Sequence, residues 1–246
     1  MRGRNCYPLI FYLLFAAYAR AEPACVDPAL LAHSTVSITR YFADTERTAQ
    51  AGLIGIQGTG WFQSPTTIVT VEHVAAAMGL SAQSPKLLVI EHGADTHSIA
   101  VRIEHLAGGG SEKLAVLELQ TAIPAARGVT TRTSPLTPED RLVTLAYPQQ
   151  YQRFVSGRFV RYVTEGTLAG SALLEMYDGN NRLAIDHGAS GAPVFDCEGR
   201  LAAVISTVIT QIFQTPFGEK RISTAWGTPN VVSVPINALA EFPVTR

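Results

Sequence analysis

The stretch "GTGWFQSPTTIVTVEHVAAA", residues 58–77, decides the fold. Its first part reads as a strand, Ser64 and Pro65 make a turn, and the β-branched run "TTIVTV" reads as a second strand. The residues after Val71, "EHVAAAMGL", suit one short helical turn that Gly79 would stop. A histidine, His73, therefore stands at the joint between a strand and a short helix. Working outward, the same texture continues in both directions. "STVSITRYF" alternates apolar and polar residues at period two, as a half-buried strand does. "KLLVIEH", "THSIAVRIEHL", "KLAVLEL", "RLVTLAY", "RFVRYVT", "SALLEMY", "APVF", "RLAAVISTVI" and "VVSVPI" extend the series, with Gly, Pro, Asn and Asp in the gaps. So many short strands point to an all-β sandwich or barrel. The stretch 121–140 is rich in Pro and Thr, shows no period, and reads as a linker between two β units. "INALAEF", after Pro235, suits a short C-terminal helix.

The chain has 246 residues and a formal net charge of −1. That length suits one large β domain or two small ones. Arg2 and Arg4 precede the apolar run "YPLIFYLLFAAYA", and "ARA" offers small residues for cleavage. Residues 1–21 therefore read as a secretory signal peptide cut before Glu22, with an uncleaved anchor as the alternative. The expected product is secreted or periplasmic and keeps no membrane anchor. Without its leader the chain is mildly acidic, which excludes the electrostatic footprint of a nucleic-acid binder. Cys6 leaves with the leader. Cys25 and Cys197 remain, and in an oxidising compartment an even pair reads most simply as a disulfide.

A second stretch carries the other half of the chemistry. "DHGASGAPVFDCEGRLAAVIS", residues 186–206, sets Ser190 between Gly188 and Gly191. Glycines there allow backbone N–H groups to converge on one point. The N–H groups of Gly188 and Ser190 are candidates for an oxyanion hole. A serine hydroxyl is a weak nucleophile without a base, and His73 is the candidate base. The G-x-S-x-G elbow of α/β-hydrolases does not fit, since the second residue after Ser190 is Ala192 and no histidine follows it. No cofactor is expected, and no metal. "EHGADTH", residues 91–97, collects ligand-type side chains, but no zinc spacing such as H-E-x-x-H is present, and it reads as a polar hairpin.

Taken together, the two stretches resemble the segments around the histidine and the serine of the chymotrypsin/trypsin-like serine proteases, in their secreted and periplasmic bacterial branch. "VTLAYP" resembles the start of that family's second barrel, and "VVSVPINAL" its last strand and C-terminal helix. The resemblance covers most of residues 34–242. It implies two six-stranded antiparallel β-barrels, about 34–120 and 141–246, with the site in the cleft between them. His73 would be the general base and Ser190 the nucleophile, with acyl-enzyme formation and hydrolysis of a peptide bond. The partner would be a protein or peptide substrate; the residues carry no reading of oligomeric state. Ala184 would floor the primary pocket, with Ser206 and Val208 along a wall, which implies small or medium apolar side chains in the substrate.

The third triad member departs from the family. The family's acid directly precedes an L-A-x-L strand, and here that position is Lys113. A lysine cannot accept a hydrogen bond from an imidazole N–H. Three readings follow. Glu112 takes the role, provided that the strand starts after it, since adjacent strand residues face opposite ways. Alternatively, His73 and Ser190 act as a dyad helped by water or by a distant acid such as Asp95 or Glu104. In the third reading the site is catalytically impaired and the fold binds a peptide or protein partner.

Overall fold

The computed structural model describes residues 25–46, 52–108, 112–148, 151–166, 168–180, 189–206, 210–222 and 230–235. The first barrel is built from β1 (Thr35–Tyr41), β2 (Leu53–Ser64), β3 (Thr67–Val71), β4 (Lys86–His92), β5 (Asp95–Ala107) and β6 (Leu114–Leu119). Their order is β1-β4-β5-β6-β3-β2, and the β1–β2 pair closes the ring. After it come β7 (Arg141–Ala146), β8 (Arg153–Tyr162), β9 (Ala172–Tyr177), β10 (Pro193–Asp196) and β11 (Leu201–Ile205). A hairpin of β12 (Thr210–Thr215) and β13 (Gly218–Ile222) precedes the last strand, β14 (Asn230–Pro235). The second barrel closes in the order β10-β11-β14-β9-β8-β7. The all-β architecture of two six-stranded barrels is thus the one expected from the sequence. The C-terminal helix and the leader expected there lie outside the described residues.

Side-chain alternation explains the first barrel. Val36 and Ile38 of β1, Ile56 of β2, Ile68 of β3, Ile90 of β4 and Leu117 of β6 are buried together with Phe62. Each such side chain stabilises the fold by about 1.5–3 kcal/mol through burial. The alternate residues of β1, Thr35, Ser37 and Thr39, are also buried, and β1 touches β7 of the second barrel. The second core is made of smaller groups: Ala146, Ala172, Ala189, Ala192, Ala202 and Ala203 surround Leu142, Phe159, Leu174 and Met176.

Two features fall outside the strand series read from the sequence. Helix α1 (Pro28–Ala32) has Asp27 as its cap, accepting the Ala29 N–H at 2.9 Å, and proline in its first turn. It holds Cys25 near β10, where a disulfide joins Cys25 to Cys197 across 172 residues of chain. The chain-entropy model assigns a loop of that size about 5 kcal/mol of stabilisation. The second feature is the β12–β13 hairpin. "RLAAVISTVI" reads as one strand, but β11 stops at Ile205. From Thr210 the chain pairs instead with β2 of the first barrel, Thr210 opposite Gln57 and Ile212 opposite Gly55. Arg221 on β13 fastens it, donating to Gln57 Oε1 at 3.1 Å and to the Tyr41 hydroxyl at 3.2 Å. Residues 210–222, inside the stretch read as second barrel, therefore sit on the first barrel's sheet. The stretch 121–140 contains no strand and touches the second barrel through a bridge from Thr131 to Leu201.

Candidate active site

The β3–β6 ladder sets half of the site. Its last pair is Val71 opposite Leu114, and one further bond runs from Glu72 N–H to the Lys113 carbonyl at 2.8 Å. Beyond it the chain turns into helix α2 (Glu72–Ala77), and Gly79, at φ +62°, ends the turn as read from the sequence. His73 therefore projects from the first residues of α2. Glu112 lies on the facing chain, two residues before β6 begins, free of the strand's alternation. Its carboxylate meets His73 twice: Oε2 lies 2.9 Å from Nδ1, and Oε1 accepts the backbone N–H at 3.2 Å. Ser206, read from the sequence as a wall of the substrate pocket, donates its hydroxyl to Glu112 Oε2 at 3.2 Å. The Lys113 side chain is exposed. Asp95 opens β5 at the tip of the β4–β5 hairpin and Glu104 sits at a bulge of β5, so the carboxylate bonded to His73 is Glu112.

Burial raises the Glu112 carboxyl, but the hydrogen bond and charge of His73, with smaller help from Ser206, bring it net below its ordinary 4.5. The sign follows from linkage: the carboxylate and its bond are retained at pH 4.5 and are lost as pH falls through the lower folded value. The other ring nitrogen, His73 Nε2, is buried without a hydrogen-bond partner among the described residues.

Ser190 comes from the second barrel and is fully buried, in the turn that leads into β10. Gly191 holds φ at +89°, a region that other residues seldom adopt. The turn is bonded on both sides: Gly191 N–H donates to the Ile205 carbonyl at 2.8 Å, and the Ser190 carbonyl accepts Thr59 N–H at 2.9 Å. Gly58 brings this turn and α2 together. A Cβ at Gly58 would meet Val74 at 2.6 Å and the Ser190 carbonyl at 3.5 Å, so the residue after His73 and the serine turn flank one glycine. Gly188, Ala184 and Val208 lie outside the described residues. The stretch 91–97 forms the β4–β5 turn; His92 is buried, with Nε2 3.1 Å from the His33 carbonyl. Sequence reading missed Thr59 and Thr70. Their signal was slight: Thr59 lies between two glycines and Thr70 between two valines.

Two closed barrels with a histidine–carboxylate pair on one and a glycine-flanked serine turn on the other define a class of protein, the chymotrypsin-like hydrolase fold. The family model for the trypsin-like peptidase domain matches residues 58–204, more than half of the chain, and the chain belongs to that family. No curated protein matches the sequence. Among solved structures, the active form of the Rv3671c protease from M. tuberculosis is 16% identical, with a TM-score of 0.56, covering 98% of this chain and 91% of that one. Its inactive form is 18% identical, with a TM-score of 0.56, covering 90% and 94%. At these identities the likeness concerns the fold.

Proposed function

We propose that this trypsin-like peptidase is an exported serine endopeptidase with Ser190 as nucleophile, His73 as base and Glu112 as the acid. The observation that carries the reading is the imidazole: Nδ1 is held by a carboxylate at 2.9 Å, while Nε2 is buried with no hydrogen-bond partner among the described residues. In the proposed reaction Ser190 Oγ attacks the substrate carbonyl carbon and its proton passes to His73 Nε2. The N–H groups of Gly188 and Ser190 hold the developing oxyanion. The imidazolium then gives its proton to the leaving amine as the C–N bond breaks. Water repeats the sequence on the ester and restores the serine. Glu112 keeps the proton on Nδ1, so that Nε2 is the basic nitrogen, and stabilises the imidazolium. Its extra methylene compensates for its start one residue before the family's aspartate. The alternative, a peptide-binding protein on the same fold, rested on Lys113, whose exposed side chain leaves the imidazole to Glu112.

A peptide or protein is the proposed substrate, with a small or medium apolar side chain facing Ala184, Ser206 and Val208. Export is proposed from the leader-like residues 1–21 and agrees with the Cys25–Cys197 bridge. The test is labelling of the oxidised protein with a fluorophosphonate from neutral to alkaline pH, beside Ser190→Ala. Labelling that disappears in Ser190→Ala is the expected result. A folded, oxidised wild type that takes up no probe would sink the enzyme reading.

A further inference from the structure

We propose that Thr59 and Thr70 are a positioning pair that sets the serine turn against the strand-and-helix unit carrying His73. The proposal rests on the reading of Ser190 and His73 as nucleophile and base. Three elements meet on Thr59 in β2. Its N–H donates to the Ser190 carbonyl at 2.9 Å. Its hydroxyl accepts the N–H of Tyr147 at 3.1 Å, just past the end of β7 in the second barrel. Its carbonyl accepts the Thr70 hydroxyl at 2.8 Å, and Thr70 lies three residues before His73. Both threonines are fully buried.

The serine turn is seated directly on this pair. A Cβ added to Gly191 would fall 2.0 Å from the Thr59 carbonyl oxygen and 2.2 Å from Thr70 Oγ1. No side chain fits between the turn and the threonines, so any shift of either threonine moves the turn. The pair thus links β3, which leads into His73, to the turn that holds Ser190, and ties both to the second barrel through Tyr147. Neither threonine touches substrate in this reading; both act through the backbone they hold. Proton transfer between Ser190 Oγ and His73 Nε2 is steep in distance, and a misplacement of about 1 Å costs roughly 10²-fold in rate. Valine is close to threonine in size but lacks the hydroxyl, so Thr70→Val removes the bond to Thr59 and Thr59→Val removes the bond from Tyr147.

The experiment is a fluorophosphonate labelling time course on the full, oxidised chain. Wild type is compared with Thr70→Val, Thr70→Ser, Thr59→Val and Thr59→Ser, each checked by thermal unfolding and by the pH profile of labelling. The valine variants are expected to label roughly 10²-fold more slowly with the pH midpoint unmoved, and the serine variants to stay within about threefold of wild type. A folded Thr70→Val that labels at the wild-type rate overturns the proposal, as does a slow Thr70→Val that Thr70→Ser does not rescue. Should Thr59→Val not fold, Thr70→Val decides, because it leaves the Tyr147 bond in place. If wild type takes no label, the nucleophile reading has failed separately, and amide hydrogen exchange decides the pair. Faster exchange at Thr59 N–H in Thr70→Val then supports the positioning role, and unchanged protection overturns it.

Discussion

The two barrels bring their parts to the site in different ways. The first presents His73 and Glu112 from the end of a strand ladder, whose register runs through Val71 and Leu114. Its core is filled by large branched and aromatic groups such as Ile38, Phe62, Ile68 and Leu117. The second presents Ser190 from a turn packed among alanines, with Ala189 and Ala192 on either side and Ala202 and Ala203 of β11 in the same cluster. A ladder aims a side chain through repeated backbone bonds. A turn can be aimed only by what it sits on, and small neighbours let its backbone approach closely. His73 and Glu112 are therefore placed at the end of regular structure, while Ser190 is placed by contact.

This contrast can be broken at several points. The largest expected effect is at Glu112, the proposed acid. Glu112→Gln keeps the shape but cannot hold the Nδ1 proton in the same way, and kcat is expected to fall by roughly 10⁴-fold. Steady-state kinetics on a peptide ester, read beside thermal unfolding, checks this; a loss of less than tenfold would mean that another group carries the acid's role. The cores come next. Phe62→Ala, in the first barrel, opens a cavity and is expected to cost about 3–5 kcal/mol. Ala203→Val, in the second, overpacks instead and is expected to cost about 1–3 kcal/mol. Urea titrations of the two variants measure both, and a reversed ranking would contradict the contrast between the cores.

The smallest effect concerns pH. Burial holds His92 below its ordinary 6.5, partly offset by its bond to the His33 carbonyl. The folded state therefore favours the neutral ring. Its contribution is complete above pH 6.5 and is lost as pH falls from there through the lowered folded value. The slope from this one group is at most about 1.4 kcal/mol per pH unit. Unfolding curves of wild type and His92→Gln between pH 7 and 5 should converge as the pH falls. Parallel curves would show that the ring does not titrate with folding.

Much of the fold was legible because strands announce themselves locally. β4 is the run "KLLVIEH", and α2 stops where Gly79 said it would. The β12–β13 hairpin was not legible, because nothing in "TQIFQTPFGEKRI" says which barrel's sheet it will join. That choice depends on the free edge of β2 beyond its pairing with β3, which belongs to another part of the chain.

The sequence by itself determined the class: alternating strands, a histidine at a strand-to-helix joint, and a serine between glycines. These are properties of neighbours in the chain, set by side-chain period and backbone freedom. The tertiary structure decided which carboxylate meets His73. Glu112 and Lys113 are adjacent, and the start of β6 at Leu114 leaves the glutamate outside the strand's alternation and the lysine in solvent. It also decided that Thr59 and Thr70 bind one another and carry the serine turn. Those contacts join residues from separate strands and from both barrels, and a buried hydrogen bond has no partner until the chain has closed around it.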